Sequence, residues 1–366
     1  MKILHILSTP RAEGTPRLVL DWLAMDCEHQ QSVFCLNSTP ADLSSRLKTS
    51  AHSYYESNLL AQSRLQKFPS ILKNTAKVVR DLQPDLTICW SGGFSSWVLA
   101  GARLGGCKKL IAHAGNPADR GLRGDFLTRY VMWPLTLLGG RVVCCSDYVR
   151  DSMRAVPGTR KDLFVTVRNC TRVAEVAERA EHARNSRSSH RPPTVVMIAT
   201  LERHKDHKTL LHAIPTVLSR IPNLQLLLAG DGTLRKELEK LANELELSAA
   251  VKFLGTRDDI PELLGNADLF VFSTTPREGL GSVLLEGLAA KLPIVASDVP
   301  ACREILAGGR WGLLVPPADP QALANAIIRS LGEPLSADAL NKAAKYASAF
   351  TPQQMMSDYL AIAEHI

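Results

Sequence analysis

Eight cysteines in 366 residues carry no CxxC spacing, and Cys144 and Cys145 are adjacent. Cys35, Cys89 and Cys144 sit inside apolar runs, where cysteine behaves as a small buried hydrophobe. A disulfide framework or a zinc site needs better spacing, so reduced thiols are expected. The chain has no Asp-x-Asp and no His/Cys cluster at ligand spacing, and neither a metal site nor a cofactor is expected. Uncharged apolar runs long enough to span a bilayer are also missing. The nearest candidate, YVMWPLTLLGG, is broken by Pro134 and closed by glycines and Arg141. The opening MKILHIL is too short for a signal peptide and no small-residue cleavage site follows, which makes a cytoplasmic location the expectation. Aromatics make up only 5% of the chain, and no arginine-rich run is interleaved with them, so nucleic acid is not an expected partner.

What is present is a globular composition, 45% hydrophobic and 22% charged, in a chain long enough for two ordinary domains. The net charge of +7 is unevenly placed. Residues 1–170 carry 22 Lys and Arg against 13 Asp and Glu, a net +9, leaving the remainder at −2. A basic first half suits an acidic partner or peripheral contact with an anionic membrane face, although a solvated basic surface has the same composition.

KILHIL, QSVFCL, DLTICWS, KLIAHA, RVVCCS and LFVTVRN hardly alternate and read as strands buried on both faces. RLVLDWLAM, FPSILKNTAKVVRDL, FSSWVLAGARL, FLTRYVMWPLTLLG and YVRDSMRAV lie between them with helical spacing. Residues 39–57 fit neither pattern cleanly. The second half repeats the scheme with TVVMIAT, LQLLLAG, VKFLG, DLFVFS, PIVAS and GLLVP. The alternation predicts an α/β protein of two Rossmann-like domains facing across a cleft. Residues 1–171 form the first domain in this reading and 194–349 the second. The charged stretch 172–193 is a linker or surface helix, and 350–366 a terminal helix.

The second half is organised around residues 273–297, STTPREGLGSVLLEGLAAKLPIVAS. It reads as a loop after an apolar strand, then a glycine-rich turn, a helix and a second strand. Gly279 and Gly281 let the backbone approach a ligand, and the helix start leaves N–H groups free to meet a phosphate. Glu278 precedes that helix, and Glu286 follows four residues after Ser282 on the same face. Carboxylates beside a diphosphate repel it unless they accept from hydroxyls, as a ribose and a sugar ring supply. The implied ligand is a nucleotide sugar.

Glu278-Gly-Leu-Gly with Glu286, and the continuation through PIVASDVPACREIL, resemble the paired-glutamate motif of the retaining GT-B glycosyltransferases (group 1, family 4). The resemblance implies that Glu286 holds the ribose hydroxyls and Glu278 the sugar hydroxyls. Gly279, Leu280, Gly281 and Ser282 would meet the diphosphate or the sugar. The family has a lysine at Lys205, followed by a similar DHKTLL, and this lysine would neutralise the leaving diphosphate. It usually has an arginine where Thr200 stands here. Arg203 is a substitute for that arginine, or part of a solvated basic turn with His204, Lys205, His207 and Lys208. Gly230 belongs to a G-x-G lining the donor cleft, and Asp231 needs no role beyond capping a helix. Arg257 borders the nucleotide base in the family, where it could stack on a ring; a plain surface arginine explains it equally.

In the first domain the family's two-glycine loop is reduced to Gly14. Ser91-Gly92-Gly93 would face the same cleft. His113, ending a strand, matches a family histidine near the reacting sugar, and Asn169 stands at the interdomain hinge. In the family the terminal helix returns to brace the first domain.

Together these imply a retaining transferase moving a sugar from a nucleoside diphosphate sugar to an acceptor hydroxyl of a glycan or glycolipid, acidic if the basic half binds it, at the inner face of a membrane. A sugar-nucleotide epimerase shares the two-domain fold but lacks the paired glutamates. A nicotinamide dehydrogenase would need G-x-G-x-x-G after the first strand, where this chain has STPRAEGTPR. An inactive nucleotide-sugar-binding paralogue is the remaining alternative, given Thr200 and the reduced loop at Gly14.

Overall fold

The computed structural model describes the chain apart from residues 13, 26–28, 120, 122, 123, 127, 129–136, 189 and 334 and the side chain of residue 64. The helical reading of FLTRYVMWPLTLLG falls largely on residues 127 and 129–136 and so lies outside the described residues, as does Glu13 of the first-domain loop.

The chain divides into two units, Met1–Asn169 with Pro352–Ile366, and Cys170–Thr351. The first holds strands β1 (Lys2–Leu7), β2 (Gln30–Cys35), β3 (Ser53–Glu56), β4 (Leu86–Cys89), β5 (Lys109–Ala114), β6 (Arg141–Cys144) and β7 (Phe164–Thr166). They form one parallel sheet in the order β3-β2-β1-β4-β5-β6-β7. The second holds β8 (Thr194–Ile198), β9 (Gln225–Ala229), β10 (Val251–Gly255), β11 (Leu269–Phe272), β12 (Ile294–Ser297) and β13 (Leu313–Val315). These are parallel too, in the order β10-β9-β8-β11-β12-β13. The central strands β1, β4, β8, β11 and β12 are almost wholly buried, which accounts for their unbroken apolar sequences.

In both sheets the order reverses beside the first strand, between β1 and β4 and between β8 and β11. Such switch points open a crevice at the carboxyl ends of the strands, where doubly wound sheets bind ligands. The ambiguous residues 39–57 contain the helix Ser44–Ser50 and the edge strand β3, whose residues are half-buried or exposed. Residues 173–186 form the helix Val173–Ser186, which packs on the helix Ile260–Asn266 so closely that a Cβ at Gly265 would stand 2.3 Å from the Ala180 carbonyl oxygen. All seven described cysteines are buried.

The terminal helix Pro352–Glu364 belongs to the first unit. Its anchor is Tyr359, fully buried, edge-on to Trp22 at 5.2 Å and stacked on Trp90 at 5.6 Å. The Tyr359 hydroxyl and His113 Nδ1 are hydrogen-bonded at 2.7 Å, and Trp90 Nε1 donates to His5 Nδ1 at 3.1 Å. A buried aromatic cluster joined by two ring-to-ring polar contacts holds helix to sheet more specifically than apolar contact alone. Tyr359→Phe keeps the ring but leaves His113 Nδ1 without its partner. It is expected to lower the stability of this unit by about 1–3 kcal/mol in urea melts, while retaining the far-ultraviolet dichroism of the parent.

Candidate functional site

Strands β8 and β11 are paired neighbours at the switch point of the second sheet. The chain leaving β8 runs through Thr200, whose carbonyl accepts from the Glu202 N–H at 2.8 Å, into a single turn, Arg203–Lys205. The chain leaving β11 runs through Ser273–Pro276 into the Glu278–Ser282 loop. The two loops are laced together at one atom. The His204 carbonyl oxygen accepts from Thr274 Oγ1 at 2.7 Å, from the Thr275 N–H at 3.0 Å and from Thr275 Oγ1 at 3.2 Å. Thr274 is itself fully buried, and its N–H donates to Ser297 Oγ at 2.9 Å, tying the arrangement to the end of β12.

The lacing brings Lys205 onto Glu278. Lys205 Nζ donates to Glu278 Oε2 and lies over the Phe272 ring, 5.1 Å from its centroid. The Lys205 side chain is 15% exposed and that of Glu278 9%. Glu278 Oε1 accepts from the Gly279 N–H at 3.2 Å. Burial pushes the Glu278 carboxyl upward, but the Lys205 charge and hydrogen bond, the His204 ring and the Gly279 N–H together hold it below its ordinary value. His204 is lowered first by burial and then by Lys205, with Glu278 opposing. The site thus rests as a desolvated, internally neutralised pair of opposite charges.

The glycines around it are required by geometry. Gly281 has φ +73°, and a Cβ there would meet the Phe272 ring at 3.0 Å. Gly230 has φ +141°, and a Cβ would lie 2.0 Å from the Ala199 carbonyl oxygen. Both positions exclude larger residues. Leu280 is buried, so only its backbone can face a ligand. The helix Val283–Ala289 begins with Leu284 and Leu285 donating to Gly281 and Ser282. Among the described residues the N–H groups of Gly281, Ser282 and Val283 have no acceptor. The Gly279 N–H, in contrast, is engaged by Glu278. Glu286, half-buried in the first turn of that helix, accepts from Thr171 Oγ1 at 2.7 Å. Thr171 in turn donates its N–H to the Phe350 carbonyl at 3.4 Å.

The other residues singled out by sequence stand apart from this pair. Arg203 is exposed and has no hydrogen-bond or ion-pair partner among the described residues. Arg257 is exposed, its guanidinium forked onto Asp259 at 2.7 and 2.5 Å. In the first unit Gly14 opens the helix Gly14–Ala24 with open space where a Cβ would project. His113 is 3% exposed, with Nδ1 bonded to Tyr359 and Nε2 buried without a partner. Burial lowers its pKa to about 4. Residues that sequence reasoning missed are Thr274, Ser297, Phe272 and Thr171. The serine-threonine turn STTP was a local signal for Thr274; nothing near Thr171 in sequence pointed to a partner at Glu286. No group of three or more potential metal-ligating side chains occurs among the described residues.

Paired α/β units with this strand order, superposable along the whole chain on solved glycosyltransferases, define the GT-B fold. Alr3699/HepE from Anabaena, solved in complex with UDP, aligns over 100% of both chains with a TM-score of 0.83 at 19% identity. Residues 178–347 match the family described as glycosyl transferases group 1. The putative glycosyltransferase EpsD of Bacillus subtilis is 31% identical over 223 residues, 59% of this chain and 58% of EpsD. A phosphatidyl-myo-inositol mannosyltransferase of Mycobacterium tuberculosis is 33% identical over 168 residues, 45% of this chain and 43% of its own length. The chain therefore spans between two fifths and three fifths of these curated relatives.

Two measurements follow from the geometry. Lys205→Met strands a buried carboxylate and is expected to cost about 3–5 kcal/mol in urea melts of the second unit. Adding Glu278→Gln to that variant should recover most of the loss. The second concerns His207, which is 3% exposed with both ring nitrogens unpartnered and its pKa lowered to about 4, first by burial and then by Lys205 and His204. Its neutral form contributes fully above the ordinary value of 6.5, and that contribution is lost as pH falls from there toward 4, because the unfolded chain binds the proton first. His207→Leu should therefore be spared about 2 kcal/mol of the stability that the parent loses between pH 7.5 and pH 5.

Proposed function

We propose that the protein is a retaining glycosyltransferase that moves a sugar from a nucleoside diphosphate sugar to an acceptor hydroxyl. The observation that carries the reading is the buried Lys205–Glu278 pair at the switch point of the second sheet, beside a helix start that bears a second carboxylate. A diphosphate arriving there would share the Lys205 ammonium and the free N–H groups of Gly281, Ser282 and Val283. Glu278, released in part from Lys205, would accept from the sugar hydroxyls, and Glu286 from the ribose diol, replacing or sharing the Thr171 hydroxyl. The UDP held by Alr3699/HepE favours a uridine nucleotide as the donor.

In the step proposed, the bond from the anomeric carbon to the diphosphate oxygen breaks and a bond to the acceptor oxygen forms on the same face of the sugar. The acceptor proton passes to the departing diphosphate. Lys205 stabilises the charge that develops on that leaving group, an interaction stronger in the transition state than before it. His113 is proposed as a further residue of the reaction; its Nε2 is buried without a partner. The acceptor proposed is a glycan or glycolipid of acidic character, since residues 1–170 carry a net +9. Work at the cytoplasmic face of an anionic membrane agrees with that charge.

The roles separate kinetically. Glu286→Ala should weaken UDP binding about tenfold or more in calorimetry, with a smaller effect on turnover of bound donor. Lys205→Ala should lower kcat by about a hundredfold or more in a UDP-release assay run under conditions where circular dichroism shows it folded. Parental UDP affinity in the first variant, or parental turnover in the second, would remove the assignment.

A further inference from the structure

The amino edge of the second sheet, opposite the Lys205 and Glu278 loops, carries a cavity of about 560 Å³ where the chain enters β8, β11 and β12. Its polar lining is dominated by cations: Arg184, Arg187, Arg191 and Lys291 surround a single carboxylate, Asp268. Arg187 Nη1 donates to the Ala267 carbonyl at 3.1 Å and reaches Asp268 Oδ1 at 3.5 Å. Arg191 pairs with the same carboxylate and donates to Thr194 Oγ1 at 3.1 Å. Arg184 is held by the Ala290 carbonyl. These bonds fix the three guanidiniums in place but supply only one negative charge. The Lys291 ammonium has no ion pair or hydrogen bond among the described residues. The crowding is felt at Arg184, whose pKa is lowered first by burial and then by the Arg187 charge.

A second cavity of about 320 Å³ adjoins the first and shares Leu292, Pro293, Ser330, Leu335 and Leu340 with it. Its character is different. Ile294, Trp311, Leu313, Ala339 and Ala343 add apolar surface, with the Trp311 ring tilted on Tyr346 at 5.7 Å and overlain by Arg310 at 4.6 Å, beside the exposed Arg329–Glu333 pair. Leu335, on the boundary between the two, is 50% exposed. A cationic chamber adjoining one lined mostly by apolar side chains is complementary to a molecule with an anionic head and a hydrocarbon chain. Neither chamber alone calls for that combination.

We infer that this paired groove binds an anionic membrane phospholipid, with its phosphate in the Arg184, Arg187, Arg191 and Lys291 chamber and an acyl chain along Trp311. The contact is separate from the basic first half of the chain and from the donor residues, and it does not depend on what the enzyme transfers. It gives the second unit its own attachment to an anionic bilayer.

The test uses the full chain and dihexanoyl phosphatidylglycerol kept monomeric, followed by calorimetry and by tryptophan fluorescence with Trp311→Phe as the reference. Saturable binding that changes the Trp311 signal is expected. Lys291→Glu and Leu335→Asp, both at partly or largely accessible positions, should each weaken it about tenfold or more. UDP affinity should stay at the parental value in both. Dihexanoyl phosphatidylcholine should bind much more weakly, and glycerol phosphate, which lacks the chain, should compete poorly. Absence of saturable binding, parental affinity in both variants, or equal competition by glycerol phosphate would each overturn the inference.

Discussion

A lysine and a glutamate are held out of water against each other where the second sheet changes direction. Everything local serves that contact: the Gly281 and Gly230 backbones, the Phe272 ring beneath the ammonium, and three hydrogen bonds on the His204 carbonyl. Two buried ions are expensive to desolvate, and their mutual attraction repays the cost only where the geometry is good. A chain selected for stability alone could place apolar residues there. The pair is better understood as a charge store: a positive group kept dry and oriented, whose present counterion is a side chain and whose proposed working counterion is a diphosphate.

The same logic links Glu286 to the chain around it. Its carboxylate is met by Thr171, and the Thr171 N–H is bonded to Phe350. Residues 170 and 351 are the limits of the second unit, so the glutamate assigned to the ribose is wired to both of its ends. In the first unit the terminal helix is secured by a different device, a buried aromatic cluster with His113 and Tyr359 at its centre. His113 thus holds the helix through Nδ1, while its Nε2 is buried without a partner.

How much of this could be read beforehand follows from how local each feature is. Central strands buried on both faces announce themselves as apolar runs, so KILHIL, TVVMIAT and DLFVFS were readable, whereas the half-exposed edge strand Ser53–Glu56 was not. The EGLG stretch and Glu286 were visible because one turn and one helix carry them. Lys205 as the direct partner of Glu278 was not, since 73 residues separate them and only the β8–β11 pairing makes them neighbours. Thr171 with Glu286, at a separation of 115, and His113 with Tyr359, at 246, are invisible for the same reason. Charged residues on turns were the hardest to interpret. Arg257 is forked onto Asp259 two positions away while Arg203 stays exposed, and composition cannot tell these fates apart.

The central claim is that Lys205 passes from Glu278 to a diphosphate. Carbon-13 NMR of the Glu278 carboxyl, titrated with pH in the presence and absence of saturating UDP, tests it directly. The account predicts a carboxyl that titrates below the ordinary glutamate range without ligand and moves upward when UDP takes a share of the ammonium and brings its own negative charge close. Saturation with UDP that leaves the Glu278 titration unmoved would contradict it.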